Sequence, residues 1–437
     1  MGKILQLWTD LRSSLWLVPA VLVLLSIVLA MGMIEMDQTY DAELRGKYPR
    51  LFAAEAEGSR AMLSAIAGSM ITVTGVVFSI TIVALTLAST QYTPRILRTF
   101  MRDRANQVVL GVFVGIFAYC LIVLRTISGG NDGQFVPSMA VLGGVFLAFI
   151  GIGFLIFFIH HIASTIQASE IISSITDETL KAIDNLFPED LGEDPKDEDD
   201  ADQIKALEQE TWHEVPSTSR GYIQAIVTNS LLDFARERNV VIRMEKGIGG
   251  FIVKGRPLVS ISGVSKPDKE SVKKLNSIYA IDSYRTVDQD PAFGIRQLVD
   301  IALKALSPGI NDTSTAVICI DHLSAILQYA VSRQIESKYR YAEGDLRVIA
   351  IGSNFQSLLS EAFDQILENG EGNSAVIIRM LGAVEEISKV TKSKTRRHVL
   401  SEQVQIINEV AKRTIETSSV RQEICEKVGQ VYEVLDL

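Results

Sequence analysis

The chain has few of the residues on which chemistry most often depends. It holds only three cysteines and five histidines among 437 residues. Three cysteines do not make the disulfide framework of small secreted domains, and we interpret Cys120, Cys319 and Cys425 as small buried apolar residues. No zinc-ligand spacing, nucleophile elbow or pair of catalytic carboxylates is found on the bilayer side. The sequence therefore predicts no catalytic residue, no metal site and no cofactor.

Charge is missing from four long stretches in the first third of the chain, residues 15–34, 61–94, 105–124 and 133–159. At about 1.5 Å rise per residue, each is long enough to cross a hydrocarbon core of roughly 30 Å as a helix. The predicted fold class is a membrane α-helical protein: four transmembrane helices in residues 1–170, followed by a cytoplasmic mixed α/β unit and a helical bundle.

Basic residues predict the orientation of these spans. Lys3 and Arg12 precede the first span, and four arginines lie between the second and the third, whereas residues 126–132 carry no Lys or Arg. We therefore expect a multi-pass membrane protein with both termini cytoplasmic and an outward loop at residues 35–60, although that loop carries bases as well as acids. The first apolar stretch is longer than that of a cleaved signal, so we expect it to remain as an anchor.

Most of the negative charge lies in one segment. Residues 177–210 hold 14 acidic and three basic side chains, against a net charge of −10 for the whole chain. We interpret residues 171–212 as a helix and a solvated acidic linker, with binding of divalent cations as the alternative. The remaining soluble part is close to neutral, which argues against nucleic acid as a partner.

The second span is unusually long and rich in hydroxyl groups. Ten of residues 61–94 are Ser or Thr, and at 100° per residue five of them share one face: Ser69, Thr72, Ser79, Thr86 and Thr90. Such a face suits either close helix packing or the wall of a water-filled path. Gly111 and Gly115 in the third span, and four glycines in the fourth, also permit close packing, within one subunit or between subunits. We expect a homo-oligomer in the lipid bilayer.

Two further groups lie at the predicted cytoplasmic boundary. Arg95, Arg98, Arg102 and Arg104 could form a basic pore mouth or anchor the protein to lipid phosphate. His160 and His161 end the fourth span and point about 100° apart, which is poor geometry for one metal ion but compatible with a pH-responsive interfacial pair.

The soluble half changes its periodicity near residue 290. Residues 213–290 read as a small α/β domain with strands at 221–226, 240–245, 251–253 and 258–261 and a helix at 230–238. The glycines at 247, 249 and 250 lead into a strand and lack a Lys-Ser/Thr pair, so we interpret them as a hairpin turn and not a nucleotide loop. Residues 291–437 read as a helical domain, with helices at 293–306, 314–332, 355–368, 375–389 and 399–417.

The densest polar group in the soluble half surrounds one turn between two of these helices. Arg296 and Asp300 fall on one helix face, and Asn311 and Asp312 lie at the start of the next helix. Capping and surface ion pairs explain most of this pattern. A ligand-binding or gating role is the alternative, because a helix amino terminus beside these side chains can receive an anion.

Three segments resemble a known family. They are GVVFSITIVALTLASTQYTPRILRTF at 75–100, FIHHIA at 158–163 and DIALKALSPGIND at 300–312. The chain resembles, over essentially its whole length, the bacterial predicted membrane proteins of domain of unknown function 2254. The resemblance implies a four-span inner-membrane protein with a cytoplasmic domain and supplies no activity or ligand.

The function predicted from these features is channel-like or transport, with the second span lining a central path and the cytoplasmic domain as platform or gate. The alternative is a membrane-anchored receptor or scaffold that binds a ligand or partner through its cytoplasmic domain. A membrane enzyme is the third reading, and it has no catalytic motif to support it.

Overall fold

The computed structural model describes residues 16–47, 56–91, 103–128, 135–165, 167–186, 210–263, 266–333 and 338–435. Arg95, Arg98 and Arg102, the core of the acidic linker, and parts of both outward connections lie outside these ranges. The chain divides into two compact units, Lys3–Gln167 and Ala168–Leu437.

Within its described ranges, the first unit contains four long helices: α1 (Leu17–Lys47), α2 (Ala56–Gln91), α3 (Arg104–Thr126) and α4 (Ser138–Thr165). Helix α3 packs against the other three, and its Phe113, Ile116 and Tyr119 are buried in the core of this unit. Helix α2 has 36 residues and is about 54 Å long at about 1.5 Å per residue, well beyond a hydrocarbon core of roughly 30 Å.

Helix α1 continues through the first part of the segment predicted as an outward loop. It ends at Lys47, and α2 begins at Ala56. The acidic residues that suggested a loop include Asp37, which is fully buried and accepts hydrogen bonds from the backbone N–H groups of Met139 and Ala140, both at 2.9 Å. Asp37 thus caps the start of α4, which explains a carboxylate inside an otherwise apolar helix.

Among the residues that the structure describes, five helices are long and apolar enough to cross a membrane: the predicted four, at Leu17–Thr39, Ala56–Leu87, Arg104–Thr126 and Ser138–Thr165, and a fifth at Thr313–Ser332 in the second unit. The fifth helix packs inside the second unit against several of its helices. Its apolar residues Cys319, Leu323 and Leu327 are buried there.

The second unit begins with α5 (Ala168–Leu186) and continues with strands and short helices: β1 (Trp212–Pro216), β2 (Gly221–Ile226), α6 (Thr228–Arg238), β3 (Ile242–Met244), β4 (Phe251–Ile252), β5 (Pro257–Ser262), α7 (Lys269–Ile278) and β6 (Tyr279–Asp282). The chain then forms α8 (Pro291–Leu306), α9 (Thr313–Ser332), β7 (Tyr339–Ala342), β8 (Asp345–Ile349), α10 (Phe355–Asn369), α11 (Ser374–Val390), α12 (Lys394–Thr414) and α13 (Ser418–Val434).

The strands form two sheets. One has five strands in the order β1-β5-β3-β8-β7, and the other has three in the order β4-β2-β6. Neighbouring strands are antiparallel except β3 and β8, which are parallel. Strands β7 and β8 come from the region predicted as purely helical, so the five-stranded sheet joins the predicted α/β and helical parts in one unit.

The glycine-rich turn leads into a strand, as predicted, but it is not a hairpin turn, because β3 and β4 on its two sides belong to different sheets. Gly249 has a φ of +79°, and a Cβ atom there would lie 2.3 Å from a carboxylate oxygen of Asp290. The turn therefore packs directly on the ion pair between Arg285 and Asp290, whose Nη2 and Oδ2 atoms are 2.8 Å apart. Asp290 also caps α8 by accepting from the Phe293 amide.

Candidate functional site

Helix α2 carries two seams of residues that each follow a spacing of three and four. The first seam faces the other helices of the unit: Leu63, Ala67, Met70, Val77 and Ala84 are buried, with Thr74 and Thr81 partly buried between them. The second seam lies on the opposite side of the helix and consists of Gly58, Ala61, Ala65, Gly68, Thr72, Gly75, Ser79, Ile82 and Thr86. We call it the exposed seam, because every residue in it is exposed.

The five hydroxyl residues predicted to share a face lie on or beside the exposed seam. Thr72, Ser79 and Thr86 belong to it, and Ser69 and Thr90 flank it; all five are exposed. The predicted face is thus present on the subunit and is not covered by another described helix of the unit.

The glycines show which helix faces are used within the subunit. A Cβ atom on Gly111 would lie 2.6 Å from Leu22 Cδ1, and one on Gly115 would lie 2.5 Å from Ser26 Oγ. The GxxxG pair of the third span therefore packs on α1 inside the subunit. By contrast, a Cβ atom on Gly58, Gly68 or Gly75 meets nothing within 4 Å. The two glycines of α3 therefore pack against α1, whereas the glycines of the exposed seam have open space around them.

The threonine hydroxyls of this face bond to their own helix. Thr72 donates to the Gly68 carbonyl at 2.8 Å, Thr86 to the Ile82 carbonyl at 2.9 Å, and Thr90 to the Thr86 carbonyl at 3.0 Å. Each donor is satisfied without water, while the hydroxyl oxygen keeps lone pairs that can accept a hydrogen bond from outside. The face presents methyl groups and acceptors.

The two histidines have different surroundings. His160 is exposed, whereas His161 lies with its Nε2 atom 2.5 Å from Asp103 Oδ2 and stacks on Phe157 at 5.6 Å between ring centroids. Asp103 also accepts from the Ala105 amide at the start of α3. The His161–Asp103 pair thus joins the end of α4 to the start of α3. The charged partner of His161 was not predicted, and its signal is an Asp immediately before an apolar helix.

The basic cluster is only partly described. Arg104 is the first residue of α3 and is exposed. Arg60, at the other end of the unit, donates to the Ile127 carbonyl at 2.6 Å and so holds the end of α3 to α2.

The predicted polar group in the second unit is used in ion pairs and a helix cap. Arg296 pairs with Asp300 at 3.0 Å and with Glu361 of α10 at 3.5 Å. Asp312 accepts from the backbone and the hydroxyl of Thr315, at 3.1 and 2.6 Å, which caps α9. These bonds hold the pKa of Asp312 below its ordinary value.

Asn311 lies apart from the ion pairs. It is exposed and has a φ of +51°, the left-handed conformation that Asn tolerates better than most residues. The structure therefore brings Arg296 and Asp300 together but uses Asn311 and Asp312 to make the turn. Among the described residues, no group of three or more His, Cys, Asp or Glu side chains could hold a metal ion.

Comparison with known proteins places the chain in a family. The family model described as "Predicted membrane protein (DUF2254)" matches residues 12–386. The chain belongs to the DUF2254 family. It is 30% identical over 395 residues to uncharacterized proteins of Mycobacterium tuberculosis and Mycobacterium bovis, and the match covers 88% of this chain and 74% of each relative. No solved structure matches it. The resemblance inferred from the three sequence segments is thus confirmed, and a membrane location agrees with the apolar helices of this DUF2254 protein.

Proposed function

We propose that this protein is a homo-oligomer of the bacterial inner membrane in which the exposed seam of α2 faces a central path, giving it a channel-like or transport function. The observation that carries the proposal is the exposed seam itself. Its residues repeat at the spacing of helices that cross at about 20°, and small side chains at that spacing let helix backbones approach closely. Contact with lipid stabilises such a face only slightly. Close packing against the same face of a second subunit stabilises it much more.

The hydroxyl groups support a path more than a dry interface. An interface needs small residues, but it does not need acceptors along the full length of the helix. Thr72, Ser79 and Thr86 are spaced along α2 and would offer successive hydrogen-bond acceptors to water or a hydrated solute.

We further propose that four helices span the membrane and that both termini are cytoplasmic. The fifth apolar helix, α9, would remain in the cytoplasmic unit because its apolar side packs on other helices of that unit and its Asp321 pairs with Arg379 of α11. The bases at residues 95–104 would then lie at the cytoplasmic boundary, where they form a pore mouth or a lipid anchor.

The cytoplasmic unit would act as platform or gate. Helix α5 begins at Ala168, three residues after α4 ends at Thr165. Its Ile172, Ile175 and Ile183 are buried, and it packs against α8 and α9. We expect a conformational change in the helical part of the unit to be transmitted through α5 to α4.

A membrane-anchored receptor or scaffold is the second candidate. The back-bonded threonines are compatible with it, because a hydroxyl that already donates within its own helix needs no water in a dry interface. In that case the spans would only hold subunits together, and the cytoplasmic unit would bind a ligand or partner.

Two matched variants test assembly through the exposed seam. Gly75 in α2 and Gly153 in α4 both have open space for a Cβ atom, so Gly75→Leu and Gly153→Leu should both fold as subunits. We expect Gly153→Leu to keep the oligomeric mass of the parent in native mass spectrometry from lipid nanodiscs, and Gly75→Leu to shift toward monomer. A monomeric parent, or an equal effect of the two variants, would contradict the proposal.

A further inference from the structure

In the second unit, the edge strand β4 of the three-stranded sheet leads into a turn that exposes apolar side chains. Strand β4 pairs with β2, with Phe251 opposite Tyr222 and Ile252 opposite Gly221. Ile252 is buried, whereas Phe251 and Val253 are each 52% exposed. Tyr222 meets Phe251 edge to face, with ring centroids 5.0 Å apart. We call Tyr222, Phe251 and Val253 the apolar tip.

The tip is held in a fixed shape by backbone hydrogen bonds. The Arg256 amide donates to the Val253 carbonyl at 3.0 Å and closes a tight turn, in which Gly255 has a φ of +84°. Ser217 ties this turn to the neighbouring chain, because it exchanges backbone hydrogen bonds at 2.8 Å with Gly255 and Arg256. The apolar side chains are therefore presented by a preorganised turn.

Bases surround the apolar tip. Arg220, Lys246, Lys254 and Arg256 are all exposed. Arg220 precedes Gly221 and so lies opposite Val253 in the strand register, and a Cβ atom on Gly250 would lie 3.6 Å from the Cβ atom of Lys246. Within the part of the chain that the structure describes, none of these four bases is held in an ion pair.

Acidic side chains are few around the tip. The segments that build it, residues 217–222 and 246–257, contain no Asp or Glu. Asp282, opposite Tyr222 on β6, is the acid that lies nearest in the sheet register, and its Oδ1 atom accepts from the Ser283 amide at 2.6 Å. The second unit as a whole has more acidic than basic residues, whereas the surface around the apolar tip is basic. The positive charge is therefore specific to this surface.

We propose that the apolar tip and its four bases dock on the anionic surface of the bilayer that the protein itself spans. An aromatic ring and an aliphatic side chain fit the headgroup boundary, and Lys and Arg around them attract anionic phosphates. The last span and the second unit are connected by a few residues, so the unit is tethered to the membrane and needs only a weak contact to dock. This inference does not depend on the proposed channel.

An environment-sensitive fluorophore in the full-length protein tests the docking. Cys120 and Cys319 are buried and Cys425 is exposed, so a Cys425→Ser background leaves one reactive site when Val253→Cys is added. The matched control is Val227→Cys, because Val227 is 55% exposed and lies at the opposite end of β2. Each protein is labelled with a nitrobenzoxadiazole thiol reagent and placed in nanodiscs that contain nitroxide lipid quencher.

We expect blue-shifted emission and strong quenching at position 253 in nanodiscs of phosphatidylcholine with phosphatidylglycerol. Quenching should be weaker in phosphatidylcholine alone and weak at position 227 in both lipids. The pair Lys254→Glu and Arg256→Glu should abolish the anionic-lipid effect, because each base near an anionic surface contributes roughly five-fold to association.

Three results would overturn the proposal. The first is the absence of quenching at position 253 in anionic nanodiscs. The second is equal quenching at positions 253 and 227. The third is a blue shift that persists in lipid-free detergent without nitroxide quenching, which would show that a second copy of the chain covers the tip.

Discussion

At the scale of single residues, polar side chains in this protein mostly complete helix ends. Asp37 caps α4, Asp103 caps α3, Asp290 caps α8 and Asp312 caps α9. Each satisfies backbone N–H groups that have no partner inside their own helix. Helix capping therefore explains several acids that stand out in the sequence. This structural role argues against a role of the same residues in ligand binding.

Asp312 allows this explanation to be tested against the ligand-binding alternative. If it only caps α9, Asp312→Asn should barely change stability, and Asp312→Ala should cost about 1 kcal/mol. A loss of that size lowers the melting temperature by about 2–4 °C in a unit of this length. Function, measured as the assembly or flux of the parent, should be unchanged in both variants.

The pH dependence of Asp312 has a definite sign. Because its pKa is lowered by the bonds from Thr315, the ionised carboxylate stabilises the fold above its unfolded pKa of about 3.9. That contribution is lost as the pH falls through the lower folded value, and Asp312→Asn should remove this pH dependence. A fall in function without a fall in melting temperature for Asp312→Asn would instead identify a ligand or gating site.

At the scale of elements, close helix contacts depend on particular small residues. Helix α5 meets α8 where a Cβ atom on Gly294 would lie 2.0 Å from Thr179 Oγ1. Thr179 is fully buried and donates to the Ile175 carbonyl at 2.6 Å. The two helices can approach only because position 294 has no side chain.

Gly294→Ala should therefore destabilise the second unit by about 1–3 kcal/mol, the usual cost of overpacking. Thr179→Ala in the same protein should recover part of the loss by removing the hydroxyl and methyl groups that the new Cβ meets. Thermal unfolding of the two single variants and the double variant gives the coupling energy, which we expect to exceed about 0.5 kcal/mol. Strictly additive changes in the free energy of unfolding would show that α5 and α8 are not in tight contact at this point.

The sequence predicted helices α8 to α11 and strands β2 to β5, but it missed helices α7 and α13 and strands β1, β6, β7 and β8. Helices such as Phe355–Asn369 and Ser374–Val390 begin and end within two residues of the predicted bounds, because their apolar residues recur every three or four positions. Strand β1 has too many polar residues for an alternating pattern to be recognised. Strands β7 and β8 are short and carry Arg340 and Arg347, although the turn at Glu343 and Gly344, both with positive φ, is a readable hairpin signal.

At the scale of the whole molecule, the sequence predicted the hydroxyl face of α2 but not its exposure. The face follows from the helical period alone, whereas exposure depends on which sides of α2 the other helices occupy. Those helices cover the seam that contains Leu63 and Val77 and leave the seam of Gly68 and Gly75 open. No local pattern distinguishes the two, since both follow the same spacing.

The proposed function requires that the exposed seam faces a water-filled path in the oligomer. Cysteine accessibility tests it without knowledge of the solute, because a thiol reacts with a charged methanethiosulfonate reagent only as the thiolate, which requires water. Ser79→Cys lies on the seam, and Phe78→Cys, one residue and about 100° away on the helix, is the control because Phe78 is 55% exposed on another face.

The measurement is the modification rate of each cysteine in full-length oligomer reconstituted in liposomes, on the Cys425→Ser background. We expect rapid modification at position 79 and little at position 78, where the side chain faces lipid. No modification at position 79, or equal rates at the two positions, would contradict a central path along α2.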